Sequence, residues 1–196
     1  MAHLLACNMA NTSESLEQML AVLKRQAGAH KGPAPVERWN PAFCGEAGIE
    51  ILADGSWRHE GTRIARESLV RLFASILRKD EDGETYLVTP AEKIRIKVAD
   101  APFLAVRVDR AGWALEQTLA FTTNVGDVLA AGPAHPIRVA TDPHTGEPRP
   151  YVLVRGRLEA RILRAPFFEM AGWAELHEGR LGVWSGGAFF ELGAAP

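Results

Sequence analysis

The chain says one thing twice. The run Tyr86-Leu-Val-Thr-Pro-Ala-Glu-Lys-Ile-Arg-Ile-Lys-Val-Ala-Asp-Ala-Pro-Phe103 returns, one residue shorter, as Tyr151-Val-Leu-Val-Arg-Gly-Arg-Leu-Glu-Ala-Arg-Ile-Leu-Arg-Ala-Pro-Phe167. Each copy opens with an aromatic and two aliphatics, turns at Pro90 or Gly156, continues with alternating basic and apolar residues, and stops at Ala-Pro-Phe. A segment used twice in 196 residues predicts two related β-rich halves, each large enough to bury a modest core. Duplicated halves create a seam, and seams between domains commonly hold ligands.

Composition narrows the classes. Apolar residues make up 47% and charged residues 23%, the balance of a folded globular chain. A net charge of -2 argues against bulk nucleic-acid or anionic-membrane binding, both of which show as a strong basic excess. Cys7 and Cys44 are the only cysteines, so no disulfide framework is implied and a reducing cytoplasm fits. The apolar start Met1–Cys7 lacks a cationic flank and is too short for a signal sequence or a span; it reads as a frayed terminus. The six histidines show no metal-ligand spacing, and the Gly-rich phosphate loops are missing, so no metal or cofactor is predicted. Ser185 in Gly182-Val-Trp-Ser-Gly-Gly187 stands one position late for a nucleophile elbow.

Along the chain, Leu16, Met19, Leu20 and Leu23 form the stripe of an amphipathic helix that Gly28 ends, and a breaker-rich linker follows to residue 35. Asp54-Gly55 predicts a hairpin turn, and Leu69, Val70, Phe73, Ile76 and Leu77 a helix. The turn Arg110-Ala-Gly112 is taken as the domain boundary, giving an N-terminal helix and linker over 1–35, a first β-rich domain over 36–110 and a second over 111–196. The plan is α+β: two β-rich domains related by internal duplication. After Ala-Pro-Phe the copies diverge, the second entering a helix with Pro166 as its first residue. A weaker echo pairs Gly55-Ser-Trp57 with Gly182-Val-Trp184.

Trp39-Asn-Pro41, Cys44-Gly45, Asp54-Gly55-x-Trp57-x-His59-x-Gly61, Leu72–Leu77, Tyr86–Pro90, Glu92-Lys93, Asp100-Ala-Pro102 and Gly182–Gly187 together resemble the bacterial domain-of-unknown-function 1285 family. The match runs from about Trp39 to Gly193. The resemblance implies two β-rich domains related by duplication, the second loosely like pleckstrin-homology folds. It also implies a nucleotide-derived ligand held between the domains and a part in signalling. No family motif matches the segment through Lys31.

Strand parity puts Lys93, Arg95 and Lys97 on one face opposite Ile94, Ile96 and Val98, and Arg155, Arg157 and Arg161 on one face with Glu159. Two matched basic faces would favour an anionic ligand, since Arg offers bidentate donors and Lys a point charge. The bland alternative is the solvated outer face of an antiparallel sheet. Trp57 could stack on a base with His59 beside it on the same face; the alternative is a Trp that plugs the core. Asn124, Asp127 and His135 could read polar groups or serve as turn and capping residues, and Cys44 could be a nucleophile or a buried inert thiol.

These residues predict a non-catalytic, cytoplasmic binding protein. Its partners are a small anionic, nucleotide-like ligand and a signalling protein, with no membrane and no bulk nucleic acid. Lys93, Arg95, Arg155 and Arg157 would hold negative charge, Trp57 would stack, and His59 with Asn124 would fix orientation. Two other classes stay open: a hydrolase on a phosphorylated metabolite, with His59 as base near Asp54 or Cys44, and a protein-interaction adaptor with no small ligand.

Overall fold

The computed structural model describes residues 34–194. The helix and most of the linker expected over 1–35 lie outside them. Two compact units meet in sequence at Ala99/Asp100.

In the first unit, β1 (Phe43–Ile51), β2 (Trp57–His59) and β3 (Thr62–Arg63) form one antiparallel meander, and β4 (Leu77–Lys79), β5 (Thr85–Val88) and β6 (Lys93–Val98) form another. Helix α1 (Glu67–Ser75) connects them. The sheet order is β3-β2-β1-β6-β5-β4, so the two meanders join where β1 runs parallel to β6. The Asp54-Gly55 turn forms as its sequence predicts. Gly55 takes φ 77°, and the Asp54 carboxylate accepts the Ser56 N–H (2.9 Å) and Oγ–H (2.6 Å). Ile49, Ile51, Trp57, Phe73, Leu77 and Leu87 are fully buried, each large aliphatic stabilising by about 1.5–3 kcal/mol. Alternation in β6 is as parity requires: Ile94 and Ile96 are buried, while Lys93, Arg95 and Lys97 point outward.

The second unit repeats this plan. Strands β7 (Phe103–Ala111), β8 (Thr118–Thr123), β9 (Val128–Ala130), β10 (Ile137–Thr141), β11 (Pro148–Arg155) and β12 (Leu158–Ile162) pair in the order β10-β11-β12-β7-β8-β9. Again the first and last strands run parallel at the centre. The turn at 110–112 is therefore no boundary but the loop between β7 and β8. Strand β7 pairs with β8 and β12, both downstream, and carries the division back to residue 99.

The repeats are the hairpins β5–β6 and β11–β12. Their loops differ: the first is Thr89–Glu92, whereas the second is the two-residue turn Gly156-Arg157, with Gly156 at φ 52°. Arg157 thus stands in the turn rather than on the strand face assigned to it. After β12, α2 (Arg164–Ala171) leads to a three-stranded antiparallel sheet of β13 (Glu175–His177), β14 (Arg180–Ser185) and β15 (Ala188–Ala194). The helix starts at Arg164, two residues before the expected Pro166, which falls in the first turn, where its missing N–H costs nothing.

The Gly182–Gly187 run is the joint of this added sheet. Ser185, with no exposed surface, donates its hydroxyl to the Ala131 carbonyl (2.7 Å) and accepts the Leu119 N–H (2.9 Å). Gln117 Nε2 donates to the Trp184 carbonyl (2.8 Å), and its own carbonyl accepts the Gly186 N–H (3.0 Å). A Cβ on Gly182 would lie 2.4 Å from the Phe190 carbonyl oxygen, so no larger residue fits.

Candidate functional site

Strand β1 carries two irregularities against β6. Three of its residues oppose two between Phe43 and Glu46, and four oppose two between Glu46 and Glu50. Gly45 at φ 90° and Gly48 at φ 63° make these bulges possible. Beside them lies a depression of about 400 Å³, lined by Glu46, Gly48, Glu50, Gly61, Glu84, Arg95 and Lys97 with Ile49 and Ile96 beneath.

Its charge is mixed. Arg95 donates to Glu46 in an ion pair that leaves both side chains about half exposed. This hydrogen bond and the guanidinium charge hold the Glu46 carboxyl below the usual carboxylate range and push Arg95 up. Lys97 is exposed and in register with Glu50. Because a solvated pair contributes little, Arg95 can exchange its partner at small cost.

The remaining candidates sit elsewhere. Lys93 lies 3.0 Å from Asp80 and 4.4 Å from the centre of the Tyr86 ring, so its charge is already held. Asp80 also accepts from the buried Arg78 (2.6 Å), which in turn donates to the Val36 and Trp39 carbonyls. Burial alone would raise the Asp80 carboxyl, but the hydrogen bonds from Arg78 and Lys93 outweigh it and hold the group low. Tyr86 donates to Asp82 (2.7 Å); that bond, with burial, pushes the phenol up to about 12.

Trp57 is 1% exposed and stacks on Phe73 at 6.1 Å, so its ring fills the core of the first unit and offers no open face to a base. His59 is half-buried; its Nε2 and the Trp57 Nε1 are both buried without a hydrogen-bond partner among the described residues. Cys44 and His59 are not neighbours. His59 pairs with Ile49, five residues further along β1 than Cys44, roughly 16 Å at strand rise. Asp54 Oδ1 accepts both Ser56 bonds, and no hydrogen bond joins Asp54 to His59 among the described residues.

In the second unit Arg155 pairs with Asp127 (2.9 Å) and lies over the Phe103 ring (4.9 Å). Asn124 ties the β8–β9 turn to β7: its Oδ1 accepts the Leu104 N–H (3.0 Å) and its N–H donates to the Leu104 carbonyl (2.8 Å). The outer face of the sheet is charge-balanced. Arg138 is bidentate on Glu159, while Asp100 gathers the Tyr151 hydroxyl (2.7 Å), Arg149 (3.2 Å) and Arg161 (3.3 Å). Asp80 and Asp100 organise the cations of the two sheets; the role of Asp100 escaped sequence reading because its donors Arg149, Tyr151 and Arg161 lie far along the chain, and that of Asp80 because Lys93 reaches it only through strand pairing. The one available signal was that Asp100 opens an Ala-Pro-Phe copy.

Among the described residues no cluster of His, Cys, Asp or Glu is arranged to hold a metal ion, and no helix is long and apolar enough to cross a membrane.

Comparison places the chain among relatives. The family model described as "Domain of unknown function (DUF1285), N-terminal domain" matches residues 34–101, and "Protein of unknown function (DUF1285), C-terminal domain" matches 102–192. The break between them lies within two residues of the structural one. A crystal structure of a DUF1285 family protein from Silicibacter pomeroyi DSS-3 aligns with a TM-score of 0.82 at 50% identity, over 88% of this chain and 94% of that one. Another from Shewanella baltica OS155 aligns at 28% identity and a TM-score of 0.49, over 63% of this chain and 90% of that one. No curated protein matches. Two matched domain models in sequence order, and a half-identical relative spanned almost end to end, lead to one conclusion: the chain belongs to the DUF1285 family.

Proposed function

We propose that this chain is a cytoplasmic, non-catalytic binding protein that takes a nucleotide-derived anion and passes its occupancy to a signalling partner. The observation that carries the reading is the depression beside the bulged β1 strand. There Arg95 and Lys97 stand next to Glu46, Glu50 and Glu84. A bare phosphate would meet more carboxylates than cations. A nucleotide offers both halves: its phosphates suit the guanidinium and ammonium donors, and its ribose hydroxyls and exocyclic amines suit the carboxylate acceptors. The volume of about 400 Å³ falls within the range of small-ligand sites. In the same reading the second unit, a sheet followed by α2, is a distant variant of the pleckstrin-homology plan and serves as the output module.

Thermal unfolding across a library of nucleotides and dinucleotides tests the proposal. A true ligand at a hundred times its dissociation constant adds about 2.7 kcal/mol of stability. Arg95→Ala with Lys97→Ala should abolish that gain, while Arg155→Ala should keep it. A flat screen, or a gain indifferent to Arg95 and Lys97, ends the reading.

A further inference from the structure

Seven large apolar side chains are exposed among the described residues, and six of them, Val106, Trp113, Leu115, Val128, Phe168 and Leu176, belong to the second unit. The most exposed is Trp113, at 73%. It stands in the β7–β8 loop with the Arg110 guanidinium 4.0 Å from its ring centre, and the same guanidinium is 4.9 Å from the ring of Trp173.

The loop is built to hold this display. Gly112 has φ 75° and leaves no room for a side chain, since a Cβ would lie 2.6 Å from the Glu116 carbonyl oxygen. Ala114 takes a left-handed φ of 50°, a strained value for a residue with a Cβ. At the far end of the loop Gln117 is buried and bonded to Trp184 and Gly186. An exposed indole on a fixed loop is a preorganised anchor, and Trp and Arg dominate the energetics of interfaces.

Helix α2 extends the strip. The Leu163 N–H just before it donates to the Ala105 carbonyl of β7 (3.1 Å), while Trp173 just after it reaches Arg110 near the other end of β7. The helix therefore follows the strand. Its exposed side carries Arg164 over the Phe168 ring (5.2 Å), a second cation–aromatic pair.

The charges identify the occupant. On the outer face of the sheet Arg138, Arg149 and Arg161 all have carboxylate partners. On this strip Arg110 and Arg164, and equally the exposed Glu116 and Glu169, form no ion pair among the described residues. Unpaired groups of both signs around an aromatic centre make the surface complementary to itself, the requirement of a two-fold interface. An anionic membrane would call for a cationic excess, which the equal numbers do not supply. Residues 100–196 also contain arginine but no lysine, matching the Arg-rich, Lys-poor composition of protein interfaces.

We propose that this strip is a homodimer interface. Two copies pack about a two-fold axis, burying Trp113 and Phe168 and setting the Arg110 and Arg164 guanidinia of one against the Glu116 and Glu169 carboxylates of the other. The inference is independent of the ligand site in the first unit.

Sedimentation of the full chain from low micromolar to several hundred micromolar should show the mass rising from one 21.4 kDa chain to two. Trp113→Ala with Phe168→Ala should weaken association at least ~100-fold without changing the circular dichroism, since both side chains are exposed. A charge exchange separates a specific face from general stickiness. The variant R110E/R164E and the variant E116R/E169R should each stay single, and a mixture of the two should associate. A single-chain mass at every concentration overturns the proposal, as does association indifferent to Trp113 and Phe168, or a mixture that stays apart. A chain that remains single but buries Trp113 in anionic vesicles, seen as a fluorescence blue shift, overturns it in favour of a membrane.

Discussion

The two units share a sheet plan and differ in what was added to it. In the first, helix α1 bridges the two meanders and brings Phe73 onto Trp57. In the second, no helix lies between β9 and β10; the sheet is followed by α2 and three further strands, joined through Ser185 and Gln117. The first unit carries a depression of mixed charge beside a bulged strand, whereas the second carries six of the seven exposed large apolar side chains and a ladder of arginines. The common part is chemical as well as topological. Tyr86 and Tyr151 open the repeats, each donates to an aspartate at 2.7 Å, and each has a cation over its ring, Lys93 at 4.4 Å and Arg138 at 4.3 Å. The two units keep the same sheet and the same tyrosine clamp, and differ in what is added to them.

The comparison predicts that damage to one core stays in that unit. Trp57→Ala and Phe121→Ala should each cost about 3–5 kcal/mol, with hydrogen exchange accelerated up to residue 99 by the first and from residue 100 by the second. Equal acceleration throughout would break the division into two units. Ser185→Ala has no counterpart in the first unit; it strips the Leu119 N–H and the Ala131 carbonyl of a partner and should cost about 1–3 kcal/mol by chemical denaturation.

A matched pair sharpens the comparison further. Asp100→Asn loosens three donors and Asp80→Asn two, and each should destabilise its own unit by about 1–2 kcal/mol, the Asp100 change the more. The smallest effect belongs to the tyrosines. Both phenols titrate above their ordinary value of 10, Tyr86 near 12 chiefly through its bond to Asp82 and Tyr151 chiefly through burial. A raised folded pKa means that the Tyr86 contribution is complete below pH 10 and lost as pH climbs through about 12. Native protein at pH 10 should therefore show little tyrosinate absorbance, and protein in denaturant at the same pH should show it from both residues.

Periodicity made the strands legible. The alternation of Lys93–Val98 and the Asp54-Gly55 turn give β6 and the β1–β2 hairpin directly, because each is set by neighbours in sequence. The helical stripe from Leu69 overshoots: Ile76 leaves the helix at φ -111° and Leu77 starts β4, where pairing with Leu87 outweighs propensity. Parity states that Trp57 and His59 share a face but not which face the core claims, and Phe73 decides that from a helix sixteen residues away. The depression arises from bulges in β1, which appear only once β6 is its partner. The unit break and the role of Ser185 likewise rest on pairings that no local window contains.

The parallel seam at the centre of each sheet also sets the order of assembly. Both meanders of a unit close through neighbouring strands, but Phe43 meets Lys93, 50 residues later, and Phe103 meets Ala160, 57 residues later. A chain emerging from the ribosome can build β1–β3 at once, yet it must hold the free edge of β1 open until β6 arrives, and that of β7 until β12. Closure of these seams, carrying the loop entropy of the whole unit, is then the slow step of folding, and the interval before it is when each chain is most exposed to pairing with the wrong edge.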